Sequence, residues 1–288
     1  MDSPTLSPAN TRVLLVGLGL IGGSYAQALA AQGFAVDAFD PDPDALAFAR
    51  DHHWIVRAAT TPSPAIARDA TLVVFALYPD ALLDWIRAYQ HLLAPGTLLT
   101  DTTGVKTPVV APVQALLRPD LEFIAAHPMA GREKAGIRNA DASVFQGANY
   151  IVVPSPANTP RAIALCRQLG VLLGFRRISE LSPEAHDAMV AYVSQLTHCI
   201  AVALMDCQDV PDLAAYTGDS FRDITRIADI NDRLWPSLFL ANRTALLRSI
   251  DLFADTFARL RAAVEAADVP ALRALMQLST ARRRAFTS

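Results

Sequence analysis

Cysteine is scarce in this chain. Cys166, Cys199 and Cys207 are the three in 288 residues. Their odd number and spacing exclude a disulfide framework and a cysteine-built metal site, so the expectation is reduced, largely buried thiols in a cytoplasmic protein. Basic excess is lacking as well. With 25 Lys and Arg against 28 Asp and Glu, the net charge is −3, and the electrostatic footprint of a nucleic-acid binder is missing. Residues 1–10 include Asp2, Pro4 and Pro8 but no apolar core, which reads as a loose leader and not a signal peptide. One uncharged segment, residues 188–205, has about the minimum length for a bilayer span. Ser194, Gln195, Thr197 and His198 in its middle would be costly in lipid unless paired, so a buried helix is expected and no membrane partner. The balance of 52% hydrophobic and 18% charged residues excludes a disordered or fibrous chain and suits a compact soluble enzyme with a substantial core.

What is present begins with a glycine-rich turn. An apolar run at 13–16 ends in Gly17, Gly19 and Gly22 and passes at once into helix-forming residues 24–31. In the strand, turn and helix of a dinucleotide-binding unit, the first glycine permits the turn. The second lets backbone amides reach a pyrophosphate, and the third lets helix and strand pack closely. The phosphates would sit on the positive end of the helix. Leu20 and Ile21 lie within this loop as further cofactor-binding candidates. A second apolar run, 34–39, ends in Asp40. A carboxylate there accepts hydrogen bonds from the ribose hydroxyls and repels a 2′-phosphate, which favours NAD over NADP; it also suits a turn at Pro41-Asp42-Pro43.

Apolar runs and helical patterns then alternate. Strands are expected at 71–77, 98–102, 123–126, 150–153 and 175–178, and helices at 44–51, 81–93, 109–117 and 161–169. Such alternation predicts a Rossmann-type doubly wound parallel sheet. Ser182-Pro183-Glu184 is a helix start, and beyond it the periodicity is helical throughout, with a division at Val269-Pro270. The expected organisation is a dinucleotide-binding domain at 11–181 and an all-helical substrate and dimerisation domain at 182–288. The many apolar helix faces in the second half are more than one copy covers, which suggests a homodimer.

In an open α/β sheet the ligand lies at the carboxyl ends of the strands. Four stretches arrive there: the glycine loop, Leu77-Tyr78-Pro79, 101–106 (DTTGVK, with Thr102 a cofactor candidate) and 127–131 (HPMAG). A histidine at a strand end beside a nicotinamide is placed to accept a proton while a hydride leaves. No metal is needed for that chemistry, and imidazole has a working pKa unmodified.

Taken together, GLGLIGGS at 17–24, DTTGVK at 101–106, HPMAGREKAG at 127–136, SQLTH at 194–198 and SFRDITRIA at 220–228 resemble the prephenate and arogenate dehydrogenases of tyrosine biosynthesis, over residues 12–242. The resemblance implies oxidative decarboxylation of prephenate or arogenate, with hydride passing from ring C4 to NAD. It implies that His127 is the catalytic histidine, that Arg226 binds the ring carboxylate, and that His198, with Ser194 four residues earlier on the same helix face, lines the substrate cleft. A guanidinium suits a carboxylate because it grips it with two parallel bonds.

This chain departs from the family pattern in two places. Many members carry serine where this chain has Gly104, so Thr103, Thr102 or a water would stand in for that hydroxyl. Arg132-Glu133-Lys134 follows the HPMAG turn: Glu133 would attract the ammonium of arogenate, whereas Arg132 or Arg222 would favour the keto acid prephenate, and a solvated loop accounts for all three charges equally well. With no residues after Ser288 for an appended regulatory domain and no mutase domain before Arg12, tyrosine feedback would act in the active site. Two other readings stand beside this one. One is a different two-domain NAD-dependent hydroxy-acid dehydrogenase, disfavoured because such enzymes use a lysine from the helical domain and 181–288 contains none. The other is a non-catalytic NAD-binding sensor, which has no reason to combine His127, His198 and Arg226.

Overall fold

The computed structural model describes residues 5–131, 134–232 and 234–287. Six strands form a parallel sheet: β1 Arg12–Val16, β2 Ala35–Phe39, β3 Arg57–Ala59, β4 Leu72–Phe75, β5 Leu98–Asp101 and β6 Glu122–Phe123, in the order β3-β2-β1-β4-β5-β6. Helices α1 Leu20–Ala31, α2 Pro43–Asp51, α3 Pro64–Ala67, α4 Pro79–Tyr89 and α5 Thr107–Leu116 make the connections.

The side chains of β1 and β4 divide by parity, as the two-residue strand period requires. Val13, Leu15 and Val74 face a core with Tyr25 and Leu29 of α1. Leu14, Val16, Val73 and Phe75 face another with Leu82, Trp85 and Ile86 of α4 and Val109 of α5. Both faces are covered, which is why these strands read as unbroken apolar runs. Edge strand β3, missed in the sequence pattern, is short and only half-buried. Its Arg57 donates to the buried Asp37 carboxylate, as Arg12 does from β1; burial pushes that carboxyl up, and the two guanidinium groups more than reverse this.

The expected single strand at 123–126 is in fact two strands in two sheets. β6 pairs with β5 through Leu98–Glu122 and Leu99–Phe123; the chain then leaves that sheet, and β7 Ala125–Met129 pairs antiparallel with β8 Asn149–Val153, which pairs parallel with β9 Arg177–Glu180. The cause is a substitution of hydrogen-bond partners at Ala126. Its N–H donates to the Asp101 carboxylate and its carbonyl accepts from Lys106 Nζ, so side chains replace the backbone ladder that would have held it beside β5. β9 also starts later than the expected 175–178. Gly174, at φ +89, turns the chain after α6 Pro160–Leu172, so residues 175 and 176 belong to that turn.

From Pro183 the described elements are helical: α7 Pro183–Val190, a π-helical turn Ala191–Gln195, α8 Leu196–Asp206, α9 Asp219–Thr225, α10 Leu234–Ala241, α11 Arg243–Glu265 and α12 Val269–Thr287. The Ser182 hydroxyl caps α7 by accepting from Ala185 N–H. The expected burial of 188–205 does not hold within one chain. Helix Pro183–Asp206 is long and apolar enough to cross a membrane by length and composition, yet only 28% of its most apolar window is buried. Met189, Tyr192, Val193, Val202 and Met205 are exposed, and α11 shows Leu252 and Phe257. The thiols also differ from expectation: Cys166 is buried, Cys199 partly so, and Cys207 exposed.

Candidate active site

The strand order reverses between β1 and β4, so their carboxyl ends open the crevice in which α/β sheets bind ligands. Gly17, at φ +97, is in a backbone conformation that side chains resist, and a Cβ there would meet Ala76 O at 2.6 Å. A Cβ on Gly22 would sit 2.0 Å from Gly17 O, backbone against backbone. Around Gly19 nothing lies within 4 Å of the Cβ position, which leaves space for a ligand against the backbone where α1 begins. Gly19 is the N-cap of α1, with no capping side chain, and Leu20, Ile21 and Gly22 form its first turn. Asp40 follows β2, and its carboxylate accepts from Leu18 N–H at 2.6 Å and from Asp42 N–H at 2.8 Å. It thus ties the glycine loop to the β2 turn, with remaining lone pairs for a ligand hydroxyl. Leu77, the exposed Tyr78 and Pro79 form the turn from β4 into α4. Thr102 donates its N–H to Phe75 O where β5 ends. This cradle fits a dinucleotide. Gly22→Ala is expected to weaken NAD binding at least about 10-fold, read by fluorescence titration, because the loop must open to admit the methyl group; unchanged affinity would remove the loop from the binding site.

Beside this crevice lies a buried ionic cluster. Lys106 Nζ donates to Asp101 Oδ2 at 2.6 Å, Ala126 O at 2.6 Å and Thr103 Oγ1 at 3.1 Å, three acceptors for the three hydrogens of an ammonium. Burial pulls the Lys106 pKa down and Asp101 opposes it. Thr103 does not offer the free hydroxyl expected of it: its single hydrogen goes to Asp101 or to the Val105 carbonyl. At Gly104 a Cβ would touch Leu238 of α10 at 3.7 Å.

His127 stands at the middle of β7, opposite Ile151, and is partly exposed. Its Nδ1 is 2.9 Å from Nε2 of His186, a fully buried residue of α7. His186 Nδ1 is 2.8 Å from Asp187 Oδ1. Asp187 also accepts the N–H groups of Lys106 and Thr107, both at 2.8 Å, and so caps α5 from another element. Its backbone carbonyl accepts from Asn242 Nδ2. The His127 imidazole is not unmodified: desolvation, then His186 and the Lys106 ammonium, hold its pKa well below the ordinary histidine value.

Sequence reasoning missed His186, Asp187 and Asn242. The first two are adjacent in a helix start, and nothing local marks them as facing β7.

Farther along the same helix, His198 Nδ1 donates to Ser194 O at 2.8 Å, and its ring stacks on Trp235 with centroids 3.7 Å apart. Twelve residues of regular α-helix would turn His198 about 120° away from His186; the extra residue of the π turn reduces this to about 20°. His198 therefore shares the face that His186 presents to His127. Arg226 is exposed and opens the short turn Arg226–Ala228, which packs against α8. Arg222 is occupied by Asp219 and the Thr217 carbonyl. Arg132 and Glu133 lie outside the described residues.

Comparison with known proteins adds to this geometry. Residues 25–177 match the family model "Prephenate dehydrogenase, nucleotide-binding domain", and residues 182–278 match "Prephenate dehydrogenase, dimerization domain". The cyclohexadienyl dehydrogenase of Zymomonas mobilis is 31% identical over 270 residues, 89% of each chain. A crystal structure of prephenate dehydrogenase from A. aeolicus, in complex with hydroxyphenyl propionate and NAD+, superposes with TM-score 0.86 at 26% identity, covering 95% of this chain and 98% of that one. Synechocystis arogenate dehydrogenase gives TM-score 0.82 at 25% identity, with 96% and 100% covered.

Proposed function

Because the chain belongs to the prephenate dehydrogenase family, we propose that it oxidatively decarboxylates prephenate, arogenate or both, with His127 as the base. The activity is an NAD-linked dehydrogenation of the kind its relatives are named for, and NAD is the cofactor. NAD supplies the hydride acceptor when bound. Gly19 and the first turn of α1 receive its pyrophosphate, with the helix dipole favouring the negative charge. Asp40 takes the ribose hydroxyls, and Leu77, Tyr78, Pro79 and Thr102 border the nicotinamide side. Arg226 holds the ring carboxylate, and Ser194 and His198 line the substrate side of the cleft.

The observation that carries this reading is the locked imidazole of His127 beside the switch-point crevice. His127 accepts the proton of the substrate's ring hydroxyl as C4 is oxidised. Loss of carbon dioxide then makes the ring aromatic, and His127 returns the proton to the phenolate oxygen. Binding that aligns C4 and base in one geometry supplies much of the rate. Selection between a keto acid and an amino acid falls to Arg132, Arg222 and Glu133 in this reading.

The same reading gives two units, 11–181 for the dinucleotide and 182–288 for substrate and dimerisation. The unburied apolar face of helix Pro183–Asp206 and the adjoining groove of about 1150 Å³, lined by Tyr192, Leu196, Leu252 and Phe253, support a homodimer through the helical unit. Three free thiols suit the cytoplasm.

The purified protein is expected to form NADH from NAD with prephenate, arogenate or both, and to use NADP at least about 10-fold less well because Asp40 repels the extra phosphate. NAD binding without turnover on either substrate would overturn the assignment.

A further inference from the structure

We propose that Asp187 and His186 are positioning residues that fix the tautomer of His127 and share its proton during the reaction. An ionised carboxylate only accepts hydrogen bonds, so His186, 2.8 Å from Asp187 through Nδ1, must carry its hydrogen on that nitrogen. A neutral His186 then has a lone pair on Nε2. That lone pair lies 2.9 Å from His127 Nδ1, so His127 in turn carries its hydrogen on Nδ1 and its Nε2 is the bare nitrogen. Two successive hydrogen bonds thus convert one buried charge into a base of defined orientation.

Asp187 is well placed to remain ionised. Burial raises its pKa, but His186 and the N–H groups of Lys106 and Thr107 at the start of α5 outweigh this. The charged and titratable groups that face the two rings are Lys106, Asp101 and Asp187. Burial and Lys106 lower both histidines, but only His186 has the carboxylate of Asp187 working in the opposite direction. A proton that enters the pair is therefore better held on His186.

This inference rests on the dehydrogenase reading, and its steps balance within it. The substrate O–H bond breaks and its proton bonds to His127 Nε2; the Nδ1 proton moves across to His186 Nε2. His186 is then an imidazolium paired with Asp187, and His127 is neutral. When carbon dioxide has left and the ring oxygen is a phenolate, both protons move back, and the oxygen recovers its hydrogen. No proton leaves the site.

The tautomers can be read without turnover. In full-length enzyme saturated with NAD and labelled with ¹⁵N at histidine, both rings are expected to be protonated at Nδ1 and bare at Nε2, with signals assigned by their loss in His127→Asn and His186→Gln. A hydrogen on Nε2 of either ring, or an average of the two tautomers, would overturn the proposal even if the enzyme turns over. The expected pattern in a protein without turnover would leave the relay standing and sink the substrate assignment.

Kinetics give a second readout. Gln at 186 still offers an oxygen to His127 Nδ1–H but cannot hold the proton, whereas Leu offers neither. kcat is expected to fall roughly 10-fold in His186→Gln and at least roughly 100-fold in His186→Leu, with KM and NAD affinity within about twofold. Equal losses in the two variants, or a loss confined to KM, would assign His186 a merely structural role. If His186→Leu fails to fold, the spectrum of the wild-type enzyme decides alone.

Discussion

Replacement of His127 by Asn is expected to lower kcat by roughly 10³-fold while NAD affinity stays within about twofold. Asn has a similar reach and an N–H that can still donate to His186 Nε2, so β7 and the buried cluster behind it are preserved. What disappears is the nitrogen proposed to take the substrate's proton. The proposed binding face for NAD is formed by Gly17, Gly19, Gly22 and Asp40, in the glycine loop and the turn after β2, away from the His127–His186 contact. The wild-type pH profile carries a matching expectation. The base works when unprotonated, and burial, His186 and Lys106 hold its pKa well below the ordinary value of 6.5. The neutral form therefore persists as pH falls, so the acid limb of kcat/KM should lie below pH 6.5, where that parameter reports the free enzyme. Normal turnover in His127→Asn would remove His127 from the mechanism. An acid limb at or above 6.5 would show that its surroundings are wetter than the hydrogen bonds imply.

The second large effect is expected at Lys106, which is fully buried and paired with Asp101. Removing one member of a buried pair strands the other charge, at a cost of about 3–5 kcal/mol. For Lys106→Met this corresponds to a fall in Tm of roughly 10 °C, measured by calorimetry. The same change also removes the donor to Ala126 O, one of the two side-chain bonds that draw β7 away from β5, so kcat should fall as His127 loses its fixed position. Replacing both residues, Lys106→Met with Asp101→Leu, should recover part of the stability and none of the activity, since an apolar pair needs no desolvated charge but cannot hold Ala126. A Lys106→Met protein as stable as wild type would mean that water or protonation relieves Asp101 easily.

Local rules made much of the architecture legible. Gly17, Gly19, Gly22 and Asp40 announce a dinucleotide turn because steric freedom and charge act over a few residues, and Ser182-Pro183 announces a helix start for the same reason. The unbroken apolar runs of β1 and β4 reveal a sheet covered on both faces. The burial of 188–205 was misjudged because periodicity shows which face of a helix is apolar and not what covers it. A hydroxyl beside a strand end, such as that of Thr103, looks available in sequence because its acceptors, Asp101 and the Val105 carbonyl, are not visible there.

What the sequence determined by itself was the fold class and the glycine turn of a dinucleotide-binding domain, since each depends on short-range patterns of glycine, charge and hydrophobicity. Tertiary structure decided the rest. Folding brings Asp187, 60 positions after His127, behind that ring through His186, and a π turn rotates His198 back to the same face. Asp101 and Lys106 move β7 into a second sheet. Those outcomes depend on which hydrogen-bonding groups are left without water when distant segments pack together, and buried donors and acceptors must then find one another wherever they lie in the chain.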